Sequence, residues 1–145
     1  MSSYQGKKVM FIIAPLQSSD SNMIQQFRVF HDRFGDSVQI IGVMSIEDGF
    51  SSANSATIKA LYDSNGINIP IVLTSGMYTK KSSGASQSPL MKWLTEIDLN
   101  DVYDVESKGI GDKYFINKLG KLYGLSFPDN SLLSANVSWI LFRDN

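Results

Sequence analysis

What most narrows the folds open to this chain is an apolar run, an amphipathic stretch and a second apolar run, in that order, between Lys8 and Met44. Val9-Met10-Phe11-Ile12-Ile13-Ala14 and Val38-Gln39-Ile40-Ile41-Gly42-Val43 are short, nearly continuous apolar segments rich in Ile and Val. Such runs suit strands buried on both faces, as in a parallel sheet covered by helices. Between them Met23, Ile24, Phe27, Phe30 and Phe34 recur at three- and four-residue steps, which predicts a helix over Ser21–Phe34 with one apolar face. Asp20 or Ser21 is placed to cap its first N–H groups, and Gly35 follows its end. Parallel strands joined by a helix form a right-handed crossover. The polar turn Pro15–Ser21 then falls at the C-terminal end of a strand and the N-terminus of a helix, a common place for chemistry in open α/β sheets.

Beyond Met44 the pattern continues more loosely. Ser45–Phe50 reads as a loop, Ser52–Asn65 as a helix with Ile58, Leu61 and Tyr62 on its apolar face and Gly66 at its stop, and Asn68–Thr74 as a short strand with Pro70 at its start or on an edge. Ser75–Ser88, rich in Ser, Gly and Lys, reads as a mobile surface loop. Ser88-Pro89 starts a helix carrying Leu90, Met91, Trp93 and Leu94, with Ser as cap and Pro at the first helical position. Leu99–Gly111 is irregular, with a short extended piece allowed at Val102–Val105. Lys113–Asn117 and Lys121–Gly124 form a hairpin around Gly120, and a last helix covers Ser131–Phe142.

Composition mainly excludes. A length of 145 residues fits one domain spanning 1–145. A net charge of -1 gives no electrostatic case for nucleic acid or an anionic membrane. No apolar run approaches the roughly 20 residues of a membrane span. Met1–Gly6 has no apolar segment of the kind a signal peptide needs, so the expectation is a soluble chain whose compartment stays open. The absence of cysteine rules out disulfides, thiolate metal sites and cysteine catalysis in this sequence.

The element order resembles the thioredoxin fold, and five segments sharpen that. Tyr4-Gln5-Gly6-Lys7-Lys8-Val9-Met10-Phe11-Ile12 is similar to the lead into the first core strand of the peroxidase and thioredoxin-like branches. Phe34–Val43 is similar to their second strand, and Gly66-Ile67-Asn68-Ile69-Pro70-Ile71 to their "g-v-x-f-P-v" segment. Ser88-Pro89-Leu90-Met91-Lys92-Trp93-Leu94 resembles the "h-P-l-y-k-w-L" helix of glutathione peroxidases, which plain thioredoxins lack. Lys113–Lys121 resembles their "K-F-L-I-d-x-x-G-k" hairpin. The resemblance implies a three-layer α/β/α sandwich around a central mixed sheet, in the glutathione peroxidase-like branch.

It also implies a site, and at each position of that site this chain departs from the family. The family's nucleophilic Cys or selenocysteine, activated by helix N-terminal amides, corresponds to Ser18 or Ser19. An aliphatic hydroxyl has no accessible anion near neutral pH and no sulfenic acid chemistry. The family's Gln after the second strand corresponds to Glu47, an acceptor when ionised, and its Trp-Asn pair to Gly109-Ile110, which offer no side-chain donors. A thioredoxin-like Cys-x-x-Cys would fall on Ser18–Ser21, and the Pro usual before the late hairpin is replaced by Gly111-Asp112. So many departures favour a natural loss of activity over a single engineered Cys-to-Ser change, which stays as the alternative.

Other chemistries have little support. His31, the one histidine, lies about a dozen residues into the helix, about 18 Å along its axis from the serines, and reads as a boundary residue. Glu47 and Asp48 could face the turn as a carboxylate pair, but read more simply as a solvated, capping loop; with Ser18 they would make only a weak oxygen site. Lys80-Lys81 reads as a solvated loop tip, and Trp93 and Trp139 as core or interface. The expectation is a non-catalytic binding or interaction module without cofactor or metal. Its partner is a protein or small molecule that the sequence does not name, and homo-oligomerisation is left open.

Overall fold

The computed structural model describes residues 6–67 and 72–143, with the backbone alone at Val72 and Leu73. In chain order the elements are β1 (Lys8–Ile13), α1 (Ser21–Phe34), β2 (Val38–Val43), α2 (Ser55–Ser64), β3 (Val72–Leu73), α3 (Pro89–Thr95), α4 (Ile97–Asn100), β4 (Lys113–Ile116), β5 (Leu122–Ser126) and α5 (Ala135–Phe142). They form a five-stranded sheet in the order β3-β2-β1-β4-β5. β1 runs parallel to β2 with Met10 opposite Ile40, and antiparallel to β4 with Met10 opposite Phe115. β2 pairs parallel with β3, and β4 antiparallel with β5. The sheet is therefore mixed, as the crossover followed by a hairpin requires.

Both faces of β1 are covered, which is why its sequence is apolar without alternation. On one face Met10, Ile12 and Ile40 pack with Ile24, Phe27 and Phe30 of α1, Ile58 and Tyr62 of α2, and Val137 and Ile140 of α5. On the other, Val9, Phe11, Ile13, Ile41 and Tyr114 pack with Met91 and Leu94 of α3. Ile24, Phe27 and Phe30 are fully buried, so each contributes about 1.5–3 kcal/mol of hydrophobic stabilisation. Three layers with a central mixed sheet result, as the resemblance implied.

Several local expectations are revised. α1 starts and stops where the periodicity puts it, but neither Asp20 nor Ser21 caps it: Asp20 makes no side-chain cap bond, and the Ser21 hydroxyl donates to the Ser18 carbonyl. Ser88 does cap α3, accepting from the Met91 N–H with Pro89 at the first position. α2 and α5 begin three and four residues later than expected, at Ser55 and Ala135; Ser134 caps α5 by accepting from the Val137 N–H. Of the strand expected at Asn68–Thr74, residues 68–71 lie outside the described residues and Val72–Leu73 is strand. Val102–Val105 is not a strand, and the short helix α4 precedes it.

The expectation of a loose loop over Ser75–Ser88 is also corrected. Residues Lys81–Ser86 form a 3₁₀ turn, Thr79 is fully buried, and two remote carboxylates hold the segment. Glu47 accepts from the N–H groups of Thr79 and Lys80, both at 2.7 Å, and from the Ser83 hydroxyl at 2.8 Å. Glu106 accepts from the N–H groups of Lys81 and Ser82. The Lys81 ammonium pairs with Asp104 at 2.6 Å, so Lys81 is not a free loop tip. Trp93 packs partly buried on the α3 side of the sheet, but Trp139 is 63% exposed and does not belong to the core.

Candidate functional site

The corner implied by the sequence is built at the C-terminal end of β1. There Ala14, Pro15 and Leu16 stay buried before the chain turns outward into α1. The Tyr62 hydroxyl of α2 donates to the Pro15 carbonyl at 2.8 Å and pins this exit. Burial holds the Tyr62 hydroxyl well above the ordinary tyrosine range, and the charge of Asp20 adds to the effect. On the other flank Gly111 N–H donates to Ile13 O, and Ile13 N–H to Asp112 O. The loop before β4 therefore lies directly against the end of β1.

Ser18 and Ser19 sit in a 3₁₀ turn leading into α1, and both are exposed. The Ser19 hydroxyl reaches only the Gln17 side chain, at 3.4 Å. Among the described residues no imidazole or carboxylate bonds either hydroxyl, and His31 lies in the last turn of α1 with its ring over Gly35. The serines thus stand in the turn between β1 and α1, without a bonded base among the described residues.

Glu47 is not part of this corner. Both its oxygens are spent on the 79–83 segment. Burial alone would raise its pKa; the hydrogen bonds from Lys80, Thr79 and Ser83 overcome that and hold it at about 2. It serves as a structural clamp, and with Asp48 pointing elsewhere the two make no carboxylate pair. The carboxylate that does face the corner is Asp48. Its Oδ1 lies 2.7 Å from where a Cβ on Gly109 would stand, and its Oδ2 is buried without a partner. Gly109 itself has φ +103, a conformation that L side chains rarely adopt. The position implied for an indole is therefore closed twice over, by backbone and by Asp48. Ile110, implied as the family's Asn, is partly buried and packs against the apolar cores on both faces of the sheet.

Two ionisable residues that the sequence reading passed over shape the corner. Asp112 is fully buried; its Oδ2 accepts from the Ser107 hydroxyl at 2.9 Å and the N–H groups of Lys108 and Gly109, while its Oδ1 has no partner. Burial raises its pKa, against the pull of those hydrogen bonds and of Lys113. Lys113, 2% exposed, donates to the carbonyls of Gly111, Phe127 and Asn130. Burial lowers its pKa to about 8, opposed by Asp112 and Asp129. The available signal was a charged pair at the entry to a strand buried on both faces, which demands hydrogen-bond partners.

Two concavities flank the corner. A cavity of about 270 Å³ with a mixed lining lies between the start of α1 and the loop joining β5 to α5, bounded by Ser19, Asp20, Met23, Lys113, Asn130 and Leu132. A larger cleft of about 910 Å³ opens between α2 and the ends of β2 and β3, and contains none of the residues implied by the resemblance. No group of three or more His, Cys, Asp or Glu side chains among the described residues could hold a metal ion. No helix among them is long and apolar enough to cross a membrane.

No family model and no curated protein matches the chain. Solved structures do. The apo form of Trgpx superposes with TM-score 0.61 at 14% identity, over 99% of this chain and 87% of that one. A thioredoxin-like protein in the oxidised form gives 0.58 at 16%, over 95% and 80%. The thioredoxin domain of a thiol-disulfide oxidoreductase from Bacteroides vulgatus gives 0.55 at 14%, over 97% and 84%. At these identities the likeness establishes the fold: the chain is a thioredoxin-fold protein whose structural neighbours are peroxidases and thiol-disulfide oxidoreductases.

Proposed function

We propose that this chain belongs to the glutathione peroxidase-like branch of that fold, has no thiol peroxidase activity, and acts through its surface as a binding or interaction module. The observation that carries the reading is the coupled change at Asp48 and Gly109. A carboxylate fills the space beside a left-handed glycine where the branch would place donors for a departing oxygen. Loss of a nucleophile alone leaves the rest of a site intact. Here the exposed Ser18 and Ser19, the diverted Glu47, the inward-packed Ile110 and the closed Gly109 all depart together. The surface left for a partner is the β1–α1 turn with the cavity beside Ser19. The test is peroxide consumption by the unmodified chain with glutathione or thioredoxin as reductant. No consumption above the protein-free rate is expected, and enzyme-level turnover would refute the reading.

A further inference from the structure

Lys113, the first residue of the hairpin segment, has a role that the proposed function does not use. Its ammonium is almost completely buried at the start of β4, and three carbonyl oxygens converge on Nζ: Gly111 at 2.8 Å, Phe127 at 3.2 Å, and Asn130. An ammonium has three N–H donors and matches three acceptors. A neutral amine has two donors and a lone pair, so one carbonyl would then face a lone pair without a donor between them. Two of the three carbonyls belong to the loop joining β5 to α5, and that loop forms one wall of the cavity beside Ser19 through Pro128, Asn130 and Ser131.

The geometry points to Lys113 as a protonation-dependent latch: the ammonium ties the 127–131 loop to β4 and fixes the wall of the cavity, and loss of its proton releases that wall. The charged and titratable groups around it come from each neighbouring element. Asp112 precedes it at the end of the loop before β4, Asp129 lies in the latched loop, Tyr114 follows on β4, and Asp20 of the α1 approach lines the same cavity. Asp112 and Asp129 favour the ammonium, while burial opposes it more strongly and brings its titration to about pH 8. Lys108 lies 3.9 Å over the Phe127 ring and stays available to hold that end of the loop when Nζ lets go, so the release is local. The latch stands on its own geometry and does not depend on the binding-module reading.

The experiment is an NMR pH titration of the unmodified chain from pH 6.5 to 10. It follows the Lys113 13Cε, the Asp112 13Cγ and the backbone 13C shifts of residues 127–131. The expected result is a single transition near pH 8 shared by Lys113 and the loop, with the Asp112 carbon showing no ionisation step of its own at that midpoint. Lys113→Met should abolish the loop transition. At pH 7 it should also speed hydrogen exchange of the Asn130 amide at least tenfold, giving the released state without a proton change. A Lys113 midpoint near 10.5, a loop that stays flat while Lys113 titrates, or a loop that follows Asp112 would each overturn the latch. Because the titration uses the unmodified chain, the outcome does not depend on whether the Met variant folds.

Discussion

Replacing Glu47 by Ala should destabilise the protein by about 3–5 kcal/mol at pH 7, although Glu47 is only partly buried and touches no apolar core. Its carboxylate is the shared acceptor for the N–H groups of Thr79 and Lys80 and the hydroxyls of Thr79 and Ser83. A hydrogen bond to a charged group contributes about 1.5–3 kcal/mol, and an orphaned buried N–H costs about 1–3 kcal/mol. Thr79 is fully buried, so its N–H would be orphaned, whereas its hydroxyl can still bond Ser45 at 2.9 Å. The pKa, lowered from 4.5 to about 2 by these same hydrogen bonds, points in the same direction. The sign follows from the depressed folded value. The contribution is fully present above the unfolded value of 4.5 and is lost as pH falls through about 2. The assay is urea denaturation of wild type and Glu47→Ala at pH 7 and pH 3, with the slope compared as well as the midpoint. A difference below about 1 kcal/mol at pH 7, or one of equal size at both pH values, would refute the clamp.

Three further substitutions probe the corner. Gly109→Ala should cost about 2–4 kcal/mol in thermal or urea unfolding, from backbone strain at φ +103 and the 2.7 Å approach to Asp48; adding Asp48→Ala should recover the contact part, so the double-mutant cycle should show non-additivity. Asp112→Ala should cost about 2–4 kcal/mol in urea unfolding, because Ser107 and the Lys108 and Gly109 amides lose their common acceptor. Tyr62→Phe should cost about 1–2 kcal/mol in the same assay by leaving the Pro15 carbonyl without its donor, and a neutral result would show that the β1 exit is not pinned from α2.

The parts of the fold that were legible were those whose stability is local or strictly periodic. β1, α1 and β2 fall where apolar runs and three- and four-residue steps put them, because both faces of the strands and one face of the helix are buried. Ser88-Pro89 gave the start of α3, since capping depends on neighbours in sequence. The 75–88 segment was misread because its order comes from Glu47 and Glu106, acceptors far away in sequence, while its own composition suggests a loose loop. Glu47 and Asp48 could not be told apart, because adjacent residues in a turn point in different directions and only the fold shows that Asp48 meets Gly109. Lys113 was hidden for a related reason: two of its partners, Phe127 and Asn130, lie on a loop whose path is set by the hairpin and by α5, whereas Asp112 bonds residues three to five positions before it in a loop whose turn the sequence did not mark.

If the chain is inactive as proposed, the whole site and not the nucleophile alone is lost. A helix-end field is worth about 0.3–2 kcal/mol, while each pKa unit takes about 1.36 kcal/mol, so Ser18 and Ser19 stay protonated at neutral pH. A cysteine at either position would ionise far more readily, yet Gly109 offers no side-chain donor for a departing oxygen and Ile110 packs into the apolar cores. The most direct measurement is a coupled NADPH-consumption assay with hydrogen peroxide on Ser18→Cys and Ser19→Cys beside the unmodified chain. Rates within about tenfold of an unactivated thiol would match about 1.4 kcal/mol or less of transition-state stabilisation, the result predicted here. Peroxidase-level turnover by either variant would contradict it, by showing that a working site survives around the serine.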